Sequence, residues 1–250
     1  MSEAEKLFDK KYTCPVCDSP VVGKTVKTGK AKLLRTDMDL RNVFEGVEPL
    51  KYEVVVCQKC GYAALTRFFD TVTTVQQKYI QEKITPNFKP LNDEGEELTY
   101  EQALTRYNVA YANAVVKMAK ASEGAYICLK AGWLCRSYKE SLEAAEAKPE
   151  LIAKVAAMET DYLKKAYDHF TKAVQSENFP ICGMDENTVD YLLAVLAMEC
   201  GEYSVSSRML SKLLASPLCS NRVKEKARDV KEVLVARMKD RGEEEEEEEE

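Results

Sequence analysis

The stretch YEVVVCQKCGYAAL, residues 52–65, decides how the first half of the chain folds. It runs from β-branched residues into two cysteines separated by two residues, Cys57 and Cys60. Alone, this pattern fits a redox pair, half of a metal site or two buried thiols. A second pair, Cys14 and Cys17 in CPVC, is also flanked by strand-like sequence. The duplication favours a metal site, because a dithiol oxidoreductase needs one such pair at the start of a helix.

The two pairs have the spacing of a four-thiolate metal site. Each Cys-x-x-Cys turn aims two sulfur atoms at one point, about 2.3 Å from a shared zinc ion. Gly61 suits the positive-φ corner after the second pair, and Pro15 presets the first turn. Such a site has no open coordination position, so it stabilises the fold and does not activate water. We predict zinc, with rubredoxin-type iron as the alternative, on Cys14, Cys17, Cys57 and Cys60.

Composition indicates a globular protein with an acidic end. The chain has 250 residues, 45% hydrophobic and 31% charged, which suffices for a substantial core and about two domains. It shows no apolar signal region and no run of 18 apolar residues, so we expect a soluble, cytoplasmic protein without membrane contact. In that reducing compartment the nine cysteines are metal ligands or core residues. Residues 243–250 are eight glutamates, and we predict a disordered acidic tail over 241–250.

The hydrophobic pattern changes from strand-like to helical along the chain. Short β-branched segments separated by turn residues fill positions 12 to about 70, and helical periodicity follows. The predicted fold class is α+β, with a small N-terminal β-rich zinc-ribbon-like unit before an all-α domain. The predicted boundaries are 11–70 for the ribbon-like unit, 71–98 for a connecting helix and loop, and 99–240 for the helical domain.

Part of the helical half has the pattern of a tetratricopeptide repeat. In residues 186–217, small, aromatic and large residues fall where two closely crossing helices need them. A second copy, starting near Gly132, is interrupted by about 22 additional residues. We predict a tetratricopeptide-like helical domain, with a non-repeat helical bundle as the alternative.

One face of a predicted helix carries Tyr126, Leu129, Trp133 and Arg136. In a tetratricopeptide repeat these positions line the concave groove, and an aromatic residue beside an arginine is common in peptide-binding hot spots. We predict that this face binds an unidentified protein or peptide. The competing interpretation places Trp133 in the core and pairs Arg136 with a carbonyl or an acid.

No pattern in the sequence supports catalysis. The single histidine, His169, is interpreted as a surface or packed helical residue, and no glycine-rich phosphate motif occurs. Asp37 and Asp39 in RTDMDLRNVF are interpreted as part of a solvated turn. We expect no enzymatic activity and no catalytic residues.

A basic stretch raises the question of nucleic acid. Residues 19–36 contain five basic residues and no acidic one, which fits a nucleic-acid-binding ribbon. However, no aromatic residues interleave the lysines, and residues 1–70 sum to only +2. A solvated strand edge, where lysines discourage aggregation, is the favoured interpretation. Nucleic acid is therefore not the expected partner.

Three segments together resemble a known family: YTCPVC, LLRTDMDLRNVFEGVEPLKYEVVVCQKCGYAAL and AGWLCRSY. The family is the uncharacterised bacterial family called domain of unknown function 2225, and the resemblance covers about residues 11–235. It implies a four-cysteine zinc-ribbon-like unit fused to tetratricopeptide-like helices, with Trp133 and Arg136 on the matching helix. Asp18 stands where ribbons often have glycine, and Gln58 where such turns often have proline. These departures affect turn geometry more than ligation.

The resemblance implies an architecture and no activity. We therefore expect a non-enzymatic protein with structural zinc that serves as a scaffold for a protein or peptide. The alternatives are a rubredoxin-like electron carrier and a nucleic-acid-binding zinc ribbon.

Overall fold

Three β-hairpins, each of two antiparallel strands, form the N-terminal region of the described chain. The computed structural model describes residues 2–93 and 95–249, with side chains described through residue 240. The strands are β1 (Leu7–Thr13), β2 (Pro20–Val26), β3 (Lys32–Thr36), β4 (Asn42–Glu45), β5 (Val54–Val56) and β6 (Ala63–Leu65). Every residue of β5 and β6 is buried, as the uninterrupted apolar runs VVV and AAL require.

The described residues after the hairpins form seven α-helices. They are α1 (Thr74–Lys83), α2 (Tyr100–Val116), α3 (Ala121–Ala144), α4 (Pro149–Ser176), α5 (Glu186–Glu199), α6 (Tyr203–Ala215) and α7 (Asn221–Glu249). Capping boxes begin α1 at Thr73 and α2 at Thr99, where the side chains of Gln76 and Gln102 bond back to the cap. The predicted α+β fold class is confirmed. The predicted acidic tail at 241–250 lies outside the residues whose side chains are described.

The main core joins the third hairpin to the helices. Val54, Val56 and Leu65 belong to the same buried cluster as the apolar faces of α2, α3, α4 and α5. The helices α3 and α4 approach closely at Gly132, where an added Cβ would lie 2.8 Å from Leu163. None of the described helices combines the length and the apolar composition that a bilayer crossing requires.

The β3–β4 hairpin is an arm whose tip, residues 37–41, contacts α3 and α5. At the tip Asp39 is 2% exposed and accepts hydrogen bonds from Trp133 Nε1 at 2.9 Å and Arg136 Nη1 at 2.9 Å. The Tyr191 hydroxyl of α5 donates to the Met38 carbonyl at 2.7 Å. The solvated turn predicted for RTDMDLRNVF is therefore wrong in one respect, because the turn is present but two of its charges, those of Asp39 and Arg41, are buried.

A second buried charge completes the anchoring of the tip. Arg41 is 1% exposed, and its guanidinium lies 2.6 Å from Asp37 Oδ2 and 2.5 Å from Glu140 Oε1. It also donates to Ser137 Oγ at 3.0 Å. Because each of the charged groups of the tip has an oppositely charged partner, Asp39 and Arg41 are buried without an isolated charge.

Replacing Asp39 tests how much the tip contributes to stability. We expect Asp39→Ala to lower the free energy of unfolding by about 2–3 kcal/mol, because it removes the acceptor of the buried Trp133 indole N–H and one of the acids paired with the partly buried Arg136. Asp190→Ala is the matched control, since Asp190 pairs with the exposed Lys212, and a pair of that kind contributes about 0.2–1 kcal/mol. Urea denaturation of both variants measures the difference. Equal losses in the free energy of unfolding would show that Asp39 stabilises the fold no more than an exposed ion pair does.

Candidate metal centre

The four predicted ligands converge in the structure. The Sγ atoms of Cys14, Cys17, Cys57 and Cys60 all lie within 4.8 Å of one another. Cys14 lies 3.6 Å from Cys60, and Cys17 lies 3.6 Å from Cys57. Four sulfurs at 2.3 Å from one ion would stand about 3.8 Å apart in a tetrahedron. The donor set and its spacing therefore fit a single metal ion.

The two cysteine turns have the same backbone geometry. In the first turn the amide of Asp18 donates to the carbonyl of Cys14 at 2.9 Å, and in the second Gly61 donates to Cys57 at 2.9 Å. Asp18 has φ of 55° and Gly61 has φ of 76°, so both residues are left-handed. Asp18 thus takes the place of the glycine found in other ribbons, which is tolerable because aspartate visits this region more readily than most residues.

Gly61 has a second reason to be glycine. A Cβ atom at this position would lie 2.4 Å from Cγ of Phe88, which packs against the turn from the segment between α1 and α2. The second turn therefore needs both the conformational freedom of glycine and its small size.

Gln58 connects the second turn to the segment before α2. Its Nε2 donates to Asp93 Oδ1 at 3.0 Å, and its Oε1 accepts from the amide of Leu91 at 2.8 Å. Asp93 in turn pairs with Arg106 of α2 at 2.6 Å. A proline here could make none of these side-chain bonds, so the departure from the usual pattern has a structural use.

Side chains outside the turns hold the turn carbonyls. Asn113 of α2 donates to the carbonyl of Gly61 at 2.9 Å, and Thr85 Oγ1 donates to the carbonyl of Cys60 at 2.9 Å. In the same way, two glutamine side chains of α1 donate hydrogen bonds to backbone carbonyls of the first turn. Such outer bonds orient metal ligands without touching the metal.

The thiols of the cluster share protons unevenly. The hydrogen bond with Cys60 lowers the pKa of Cys14 to about 5, and the same bond raises the pKa of Cys60. Burial raises the pKa of Cys57. One thiolate is therefore favoured before a metal binds, and the remaining protons leave when it does.

Two cysteines of α3 behave differently. Burial raises the pKa of Cys128 to about 12 and that of Cys135 to about 12, so both are protonated core residues. Among the residues whose side chains are described, no second group of metal-binding side chains accompanies the four-cysteine cluster.

The predicted groove residues divide between two environments. Trp133 is 7% exposed and bonds to Asp39, while Arg136 pairs with Asp39 and, at 2.6 Å, with Glu159. This arrangement agrees with the competing interpretation of a core tryptophan and a paired arginine. The chain's own hairpin tip contacts the indole N–H of Trp133 and the guanidinium of Arg136.

Tyr126, Leu129 and the Trp133 ring instead line a cavity of about 290 Å³. The opposite wall is formed by the arm and by the 3₁₀ turn Pro49–Tyr52, neither of which sequence reasoning assigned to a site. The available signal was the alternate spacing of the arm residues on this wall: Leu40, Asn42 and Phe44.

The single histidine is packed, as predicted. His169 Nε2 lies 2.9 Å from the hydroxyl of Tyr111, and burial lowers the pKa of the imidazole.

The two left-handed positions give a paired stability test. We expect Gly61→Ala to destabilise the metal-loaded protein by at least ~1–2 kcal/mol, because alanine is strained at positive φ and also meets Phe88. Asp18→Gly should change stability by less than ~1 kcal/mol, since glycine accepts the same backbone conformation. Chemical denaturation measures both variants. An equal loss for Asp18→Gly would contradict the equivalence of the two turns.

Comparison with known proteins places the chain in one family. No curated protein and no solved structure matches it. The family model described as "Uncharacterized protein conserved in bacteria (DUF2225)" matches residues 7–234. That span contains all four clustered cysteines, the arm and helices α1 to α6. The chain therefore belongs to this uncharacterised family conserved in bacteria, the family that its sequence resembles.

Proposed function

We propose that the protein is a non-enzymatic cytoplasmic scaffold whose fold is stabilised by zinc and whose cleft binds a peptide segment of another protein. The cleft is the 290 Å³ cavity between the arm and α3. This cleft is the main observation behind the proposal, because three of the four residues predicted to bind a partner line the cleft.

The lining of the cleft defines the kind of ligand. Nine of its twelve lining residues are apolar or aromatic, with rings from Tyr126, Trp133 and Phe44, and polar atoms make up nearly half of the exposed lining. The one cation, Lys130, is neutralised by Glu53, with Nζ lying 2.7 Å from Oε2. The cleft therefore favours a large uncharged side chain. Its volume is at the lower end of ligand sites, about 300–1,000 Å³, and suits one anchoring residue of a peptide better than a nucleotide.

The four-thiolate cluster supports zinc in a structural role. Thiolates are soft ligands that favour zinc or iron among common metals, and all but Cys17 are buried. A zinc ion held by four thiolates supplies folding energy and has no open position for a substrate. The alternative with iron would make the same cluster a rubredoxin-like electron carrier.

The nucleic-acid alternative has less support. Three cations of the basic stretch are paired with acids: Lys24 lies 3.5 Å from Asp9, Lys32 lies 3.0 Å from Glu45, and Arg35 lies 3.1 Å from Asp37. Lys27 donates to the backbone carbonyl of Glu5 at 2.9 Å. Phosphate contacts would have to break these interactions, so the stretch is not a free basic surface.

Metal analysis tests the zinc assignment. We expect about one zinc ion per chain in the purified protein, as four thiolates bind one tetrahedral ion. Cys60→Ser should lose the metal, whereas Cys200→Ser, a change outside the cluster, should retain it. Stoichiometric iron with a visible absorption band that bleaches on reduction would instead favour the electron carrier, and a metal-free protein would reject both.

The only tryptophan of the chain, Trp133, lines the cleft and makes peptide binding measurable. Peptides selected from a random display library should carry a large apolar anchor and should change the fluorescence of Trp133. We expect Tyr126→Ala to weaken their binding by tenfold or more, an effect typical of a hot-spot residue.

Tyr79→Ala serves as the control for this experiment. Tyr79 is a half-buried tyrosine of α1 that does not line the cleft. The proposal fails if the library yields no binder, or if Tyr126→Ala and Tyr79→Ala bind the selected peptides equally well.

A further inference from the structure

Helix α1 is too short and too polar to hold its place unaided. Of its ten residues, all of them described, only Ile80 is buried. An isolated helix shorter than about 12–15 residues is marginal in water. The capping box at Thr73 closes the first turn of α1 but attaches it to nothing else. The position of the helix must therefore come from its contacts with the surrounding chain.

Those contacts lead to the first cysteine turn. Gln77 Nε2 donates to the carbonyl of Pro15 at 2.8 Å, and Gln81 Nε2 donates to the carbonyl of Val16 at 2.8 Å. The two glutamines are four residues apart, so they lie on one face of the helix. Pro15 and Val16 are the two residues between the first pair of cysteines. Their carbonyls are fixed in space when both flanking sulfurs bind one ion.

The apolar contact of α1 depends on the same turns. Ile80 is fully buried in a small cluster that includes Cys14, Cys57 and Cys60. Just beyond the end of α1, Thr85 Oγ1 donates to the carbonyl of Cys60. These hydrogen bonds and the one buried side chain of the helix therefore lie at the cysteine turns, in addition to a contact with α2.

Outside the cysteine turns, the first hairpin packs against the third hairpin, where Val21 and Val55 share the small cluster, and against the 3₁₀ turn Pro49–Tyr52. Among the described residues, neither β1 nor β2 contributes to the main core, whereas β5 and β6 are part of it. Loss of the metal would therefore loosen the first turn more than the second, because the second remains attached to the main core through β5 and β6, and the helices of that core would remain packed.

We propose that metal occupancy controls whether α1 is docked, and that Gln77 and Gln81 are positioning residues that hold the first cysteine turn in its metal-binding form. The coupling is reciprocal, because whatever the metal adds to the stability of α1, docked α1 adds to the affinity for the metal. This proposal concerns the metal site and does not depend on peptide binding in the cleft.

Hydrogen–deuterium exchange before and after zinc removal with EDTA tests the first half of the proposal. We expect the amides of residues 74–83 to exchange faster after zinc is removed, while those of residues 186–199 in α5 stay protected. Unchanged exchange in α1 after complete zinc removal would overturn the proposal. So would a simultaneous loss of protection in α5, because the metal would then hold the whole fold.

The double variant Gln77→Ala with Gln81→Ala tests the second half. Alanine is the better helix former, so the change does not weaken α1 through helix propensity. We expect zinc affinity, measured by competition with a chromogenic chelator, to fall by about 10–100-fold, the usual effect of losing outer-shell partners. Exchange in α1 should also rise while zinc is still bound.

The matched control is Lys78→Ala with Glu82→Ala. These two exposed residues have the same spacing on the same helix, whereas the bonds to the first turn come from Gln77 and Gln81. The control should bind zinc as the parent protein does. Equal zinc affinities for the two double variants would show that the glutamine bonds do not position the first turn, and the proposal would be rejected.

Discussion

The meeting of four sulfur atoms within 4.8 Å is the constraint on which the arrangement of the N-terminal region depends. It joins the first hairpin to the third, and the third hairpin lies in the main core with α2 to α5. The first and third hairpins also share a smaller cluster that includes Val21, Val55, three of the four cysteines and Ile80. A metal at this point therefore stabilises the attachment of one layer to the next, a role that a small β-region with little core requires.

The features that sequence reasoning predicted were those with short-range causes. The cysteine spacing specifies two turns that need only local bonds, and Gly61 marks the left-handed corner of one of them. Asp18 shows why the pattern tolerates substitution, because the turn requires a conformation and not a particular residue. The change from β-branched runs to helical periodicity likewise gave the α+β class, since each element buries its own apolar face.

The arm could not be predicted in the same way because its environment comes from distant residues. Asp39 is buried by Trp133, which lies 94 positions away in the sequence, and Arg41 by Ser137, which lies 96 away. The local sequence of a charged turn does not show whether its charges face water or pair with a distant arginine. For this reason RTDMDLRNVF was interpreted as an exposed turn. Helical spacing did place Trp133 and Arg136 on one face, but it carries no information about which segment covers that face.

Trp133 contacts both the arm and the cleft, so the structure of the arm affects how a ligand would bind. Its indole N–H is bound to Asp39 of the tip, while its ring faces the cavity. The opposite wall includes Leu40 and Phe44 of the same arm, so the buried ion pairs of the tip fix both walls at once. A peptide side chain entering the proposed site would meet walls that are already ordered. Binding there avoids much of the entropic cost of arranging a loose groove, and this preorganisation offsets the small area that the cleft provides.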